Sequence, residues 1–154
     1  TGAVGNPPVY TEDYDFIIGK SITLREGKDI TIFAHGTMVF ESLEAAKILE
    51  DQNISATVIN MHTLKPLDYN AIDKALSTSK AIVTVEEHSV IGGLGSAISE
   101  YTSQFSNNPA QLTLGLPDKF GKTAEYGYLL DKYRLVSNKI AIDIVEFINE
   151  RAKS

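Results

Sequence analysis

Along the chain, short unbroken apolar runs alternate with segments whose apolar residues recur every three or four positions. The runs at residues 30–34 (ITIFA), 55–61 (SATVINM), 81–85 (AIVTV) and 111–116 (QLTLGL) have strand length. They lack the in–out alternation of a half-exposed sheet, which predicts parallel strands covered on both faces. Between them, Val39, Leu43, Ala46 and Ile48 or Leu49 mark a helix over 38–52, and Ile72, Ala75 and Leu76 one over 69–79. A third helix is expected over 94–105 and a short one over 126–133. The last, over 138–153, turns Ile140, Ile144, Val145 and Ile148 inward. That spacing is the helical period. Thr37, Asp68 and Ser137 stand where N-caps are needed, and Asn53 where a left-handed terminator is. An earlier β-rich run, 16–24 (FIIGKSITL), ends in a turn signal at 25–28.

This alternation predicts an α/β fold: a three-layer αβα sandwich around a mostly parallel five-stranded sheet, with 16–24 as one antiparallel edge strand. Residues 1–14, rich in glycine and proline, read as a linker or tail, and 15–154 as the domain.

Composition narrows the function classes. Twenty acidic against fourteen basic residues give a net charge of −6, which argues against nucleic-acid binding. No run approaches the roughly 18 apolar residues of a membrane span. Cysteine is absent, so thiolate chemistry and cysteine-type zinc sites are excluded. A cytoplasmic setting is the simplest expectation.

Candidate chemistry gathers at strand ends. His35, His62 and His88 each follow a predicted parallel strand, where open sheets of this type bind ligands. A metal or proton-transfer site built from these histidines with Glu86 or Glu87 is one reading. Coincidence among polar loops is the other, and the favoured one. Gly92, Gly93 and Gly95 bridge a strand and a helix, as in an anion-binding turn, or as tight helix-on-sheet packing requires. Packing is favoured, since neither the dinucleotide nor the P-loop fingerprint is matched. Adjacent residues of an extended chain point opposite ways, so Glu86 and Glu87 cannot face each other as an acid/base pair. The ligand-binding candidates are therefore Glu87, His88, Gly92, Gly93 and Gly95, with no catalytic residue and no metal ligand assigned.

Residues 85–100 (VEEHSVIGGLGSAISE) resemble the signature of the transketolase C-terminal domain. Three further stretches, at 19–39, 58–72 and 114–133, are similar to it in the same order, so the resemblance runs from about residue 14 onward. It implies a transferase that moves a two-carbon ketol unit between sugar phosphates, using thiamine diphosphate and Mg²⁺ held between two other domains. The motif that holds the metal and the glutamate that activates the cofactor belong to those domains. This chain is accordingly expected to bind no cofactor and to be inactive alone. Its implied partners are upstream pyrophosphate- and pyrimidine-binding domains, or a separate N-terminal section, within a homodimer, with a role in assembly and in binding a small regulatory ligand. The β subunit of 2-oxoacid dehydrogenase E1 and deoxyxylulose-phosphate synthase share the domain and are the alternatives, as is a free-standing anion-binding module. The Glu-Glu-His before the glycines favours transketolase. His35 departs from the family pattern, which has a small residue there.

Overall fold

The computed structural model of the chain describes residues 7–10, 13–119, 121 and 123–153. Five strands and five helices follow one another: β1 (Ile22–Arg25), β2 (Ile30–Ala34), α1 (Met38–Glu50), β3 (Ala56–Asn60), α2 (Tyr69–Thr78), β4 (Ala81–Ser89), α3 (Leu94–Thr102), β5 (Ala110–Leu116), α4 (Tyr126–Lys132) and α5 (Ser137–Arg151). The sheet order is β1-β3-β2-β4-β5. β3, β2, β4 and β5 run parallel, and β1 lies antiparallel on the β3 edge, as the sequence predicts.

Side-chain parity divides the core in two. Ile30, Ile32, Ala34, Val58, Val83 and Val85 face one layer, built from α1 and α5. Phe33, Ile59 and Ile82 face the other, where Ile72 and Ala75 of α2 and Leu94 and Ile98 of α3 meet them. Strands covered on both faces need apolar residues at every position, which is why these runs show no alternation.

Several boundaries differ from the sequence reading; α3, expected over 94–105, ends at Thr102, and others differ for local reasons. The edge strand begins at Ile22, because Gly19 takes a left-handed φ of 82° in a turn closed by Lys20 N–H to Ile17 O. Residues 16–18 ahead of it are exposed. β4 continues four residues past Val85, so Glu87 and His88 lie on a strand extension and not in a turn. Thr37 has helical φ and ψ and makes no side-chain cap, and Ser137 is the first helical residue of α5. That helix end is served instead by Glu41 of α1, whose Oε2 accepts from Ser137 N–H at 2.7 Å. Asp68 does cap α2, accepting from Ala71 N–H at 3.4 Å, and Asn53 does terminate α1 with a φ of 61°. Of the expected linker at 1–14, residues 7–10, 13 and 14 are described: Val9 packs against the core on the α1 side, and the Tyr10 hydroxyl accepts from Asn60 Nδ2 at 2.6 Å.

Candidate functional site

β2 is followed by β3 on one side and, after a crossover, by β4 on the other. The crevice at the C-terminal ends of β2 and β4 is therefore the switch point of the sheet, the usual ligand position in this architecture. His35, Gly36 and Thr37 leave β2 there, and Glu86, Glu87 and His88 extend β4 beside them.

The two adjacent carboxylates serve opposite faces, as strand geometry requires. Glu86 shares the parity of Ile82 and Thr84, points toward α3 and is 0% exposed. Its Oε2 accepts from Leu94 N–H at 2.8 Å and its Oε1 from Gly95 N–H at 2.9 Å. These are the unsatisfied amides of the first turn of α3, at the end where the helix dipole favours negative charge. Glu86 thus supplies from within the chain the anion that such a turn would otherwise recruit from solution. His35 Nε2 lies 3.9 Å from Glu86 Oε2, too far for a hydrogen bond, and is buried without a hydrogen-bond partner. Burial pushes the Glu86 carboxyl up, but the His35 imidazole and the two amides outweigh it, and its pKa falls below the ordinary 4.5.

The glycines follow from this arrangement. A Cβ at Gly93 would sit 1.9 Å from Glu86 Oε2, and one at Gly95 2.4 Å from Thr113 Cγ2 and 2.8 Å from Thr84 Oγ1. Both positions are buried, so Gly93 admits the carboxylate and Gly95 lets α3 seat on β4 and β5. Gly92 is different: it is exposed, has a φ of 79° and faces open space.

Glu87 shares the parity of Val85 and emerges on the other face. Its Oε2 accepts from Thr37 Oγ1 at 2.6 Å and from the Tyr126 hydroxyl at 2.8 Å. One carboxylate thereby ties the β2–α1 loop, the β4 extension and α4 together. With Leu116, Leu129, Leu130, Tyr126 and Tyr133 it lines a small cavity of about 80 Å³. His88 is exposed and its Nδ1 lies 3.0 Å from Ser89 O.

The three histidines do not converge. His62 packs its ring on Phe16 at 4.3 Å and shares a hydrogen bond with Thr63 Oγ1, whereas His35 lies beside Glu86 and His88 beside Ser89 O. Among the described residues, no group of three or more histidine, aspartate or glutamate side chains is placed to hold a metal ion. This arrangement offers no support to the metal reading of the strand ends.

Thr37, His35 and Tyr126 are the crevice residues that sequence reasoning missed or misassigned. Thr37 was expected to cap α1, and nothing near Tyr126 marks it as a partner of Glu87. A larger cavity, of about 340 Å³, opens at the opposite, N-terminal end of the parallel strands between Asp29, Lys80, Phe147 and Arg151.

Residues 19–140 match the family model described as the transketolase C-terminal domain. The chain is 44% identical, over 84% of its length, to a 6-deoxy-6-sulfo-D-fructose transketolase subunit from Clostridium sp. (strain MSTE9), and covers 40% of that protein. It is 41% identical, over 86% of its length, to 1-deoxy-D-xylulose-5-phosphate synthase from Dictyoglomus thermophilum, and covers 22% of it. Among solved structures, a split-gene transketolase described as an inactive β4 tetramer superposes with a TM-score of 0.83 at 40% identity. That alignment covers 92% of this chain and 45% of the other. The chain therefore spans less than half the length of these relatives, and by its motifs, sheet order and family match it belongs to the transketolase C-terminal domain family.

Proposed function

We propose that this chain is the non-catalytic C-terminal domain of a thiamine-diphosphate-dependent transketolase, and that it serves assembly of the enzyme. The observation that carries the reading is the internal satisfaction of the switch-point crevice. Glu86 is consumed by the first turn of α3, and Glu87 by Thr37 and Tyr126. A catalytic carboxylate needs free access to substrate and a pKa matched to its task. Glu86 has neither, being fully buried and held ionised. The ketol transfer, the cofactor and its Mg²⁺ then belong to the pyrophosphate- and pyrimidine-binding domains, on the same polypeptide or in a separate N-terminal section. Split relatives named as transketolase subunits support that arrangement. The identities to transketolase subunits and to deoxyxylulose-phosphate synthases are similar, so the choice of transketolase rests on the Glu86-Glu87-His88 sequence before the glycines. The test is truncation of the parent enzyme at residue 15. Dimer dissociation is expected to rise by at least tenfold while cofactor affinity changes by less than threefold; the reverse order contradicts the proposal.

A regulatory ligand at the crevice is a second role compatible with the same geometry. Of the five candidate residues, Glu87, His88 and Gly92 are exposed, whereas Gly93 and Gly95 are buried. A ligand would touch the first three directly, with the two buried glycines shaping the turn beneath it. Thermal-shift titration with phosphate and sugar phosphates checks this, with a rise in Tm that Gly92→Val abolishes as the expected result. A flat response across the panel removes it.

A further inference from the structure

The cavity of about 340 Å³ at the N-terminal ends of the parallel strands shares no residue with the switch-point crevice. Its floor is a row of strand-start residues held in register, Ile30 of β2 beside Ala81 of β4 and Ala81 beside Ala110 of β5. Two of the three are alanines. One step further along the same face stand Val83 and Leu112, whose larger side chains fill the layer. The short side chains at the strand starts thus leave a hollow, and the last turns of α5 overhang it with Phe147 and Ile148. Both of these pack against the buried core that contains Ile30 and Ala81, so floor and roof are set by the fold itself.

The rim is polar and already tied together. Asp29 Oδ1 accepts from Lys80 Nζ at 2.7 Å and its Oδ2 from Ser55 N–H at 2.9 Å, which joins the entries to β2, β4 and β3. The Arg151 guanidinium lies over the Phe147 ring, 5.2 Å from its centre. Of the charged side chains lining the cavity, Lys80 and Arg151 are basic and Asp29 alone is acidic. The mouth therefore carries a positive charge in a chain whose net charge is −6.

We propose that this cavity binds a small amphipathic anion. An aromatic or aliphatic body seats on Ile30, Ala81, Ala110 and Phe147, and a carboxylate or similar monoanionic group meets Lys80 and Arg151. Preformed hollows of roughly 300–1,000 Å³ with apolar walls and a few convergent polar groups are the usual form of small-molecule sites. Charge and lining select the ligand class together. A sugar phosphate satisfies the cations but leaves its hydroxyls against an apolar floor without hydrogen-bond partners, which is costly. A neutral apolar compound fills the floor and leaves the cations unused. The site is at the other end of the strands from Glu87, His88 and Gly92 and takes a different ligand class, so it stands apart from both roles proposed above.

The test is calorimetric titration of the full-length protein with 4-phenylbutyrate. Saturable binding of one molecule per chain is expected. 4-Phenylbutanol keeps the body without the charge and should bind about threefold to fivefold more weakly, the scale of a partly exposed ion pair. Acetate keeps the charge without the body and should give no saturable heat. Ala110→Leu fills the floor and is expected to weaken 4-phenylbutyrate at least about tenfold, since the body then loses its buried contact. Arg151→Gln, at an exposed helix end, should weaken it about threefold or more and carries the test together with the alcohol should Ala110→Leu fail to fold. No saturable heat up to about 10 mM, equal affinity for the alcohol, or binding that either folded variant leaves unchanged overturns the inference. Each of those results leaves the role in assembly untouched.

Discussion

The residue that decides most here is Glu86. A buried carboxylate is costly unless it is hydrogen-bonded and its charge compensated. Glu86 meets both conditions through the Leu94 and Gly95 amides, the α3 dipole and the neighbouring His35. Glu86→Gln keeps the shape but removes the charge, and its amide nitrogen faces a backbone donor. A loss of about 1.5–3 kcal/mol at pH 7 is expected, the range for hydrogen bonds to a charged group. The pH dependence carries a definite sign. The folded-state pKa is depressed below 4.5, so ionised Glu86 contributes fully above that value and loses its contribution as pH falls through the depressed value. Urea denaturation of both proteins should give a stability difference that is largest at neutral pH and shrinks steadily below pH 4.5. A difference that stays constant down the acid limb would mean the charge is not what matters.

The same residue shows where sequence reading stops. That one of two adjacent glutamates is buried follows from strand parity; which one does not, because it depends on how far β4 continues. The strand was expected to end at Val85, since a polar pair normally signals exposure. β4 instead runs to Ser89, and Glu86 stays inside because the first turn of α3 supplies two donors. The cue was present in Gly93 and Gly95, whose missing side chains make room for the carboxylate and for Thr84 and Thr113. Thr37 was misread in the opposite direction. A threonine before a helix is a good cap by type, yet its hydroxyl is taken by Glu87. Partners fifty residues away in sequence leave no local trace.

At the scale of elements, the strand and helix order and the parallel sheet were legible from apolar runs and helical spacing, and the antiparallel edge from a β-rich run closed by a turn signal. What periodicity does not encode is how β1 is held on the edge. It has four residues and an irregular register against β3, too little pairing to be secure by itself. Asp68 supplies the anchor: its Oδ2 accepts from Ser21 N–H at 2.7 Å and Ser21 Oγ at 3.0 Å, while Oδ1 caps α2. Burial pushes this carboxyl up, and the Ser21 and Ala71 donors more than offset it, leaving the pKa lowered. Asp68→Ala therefore removes a cap and a strand anchor together, at a cost of about 2–3 kcal/mol. Hydrogen exchange should speed up at the amides of β1 and the first turn of α2, with β2 and β4 unaffected. Acceleration spread evenly over the sheet would show that Asp68 acts globally and not as an anchor for the edge.

For the whole molecule, the family resemblance in the motifs at 19–39, 58–72, 85–100 and 114–133 led to the correct fold and family, because these motifs sit at the strand ends and turns that define the sheet. Which apolar side chains stay exposed was not legible in the same way. Phe16, Ile17 and Ile18 read as part of a strand, and Tyr69 and Phe105 as helix residues; the folded chain leaves all five exposed, with Tyr69, Tyr101 and Phe105 in ring contact. The resulting picture is of a domain whose switch-point crevice is satisfied by its own carboxylates, which is the basis of the proposed non-catalytic role. Isothermal titration of the folded chain with thiamine diphosphate and Mg²⁺ tests that picture most directly. The account predicts no heat beyond dilution at cofactor concentrations up to about millimolar, a Kd range in which binding free energy is already only some 4 kcal/mol. Saturable binding in the micromolar range or tighter would contradict it.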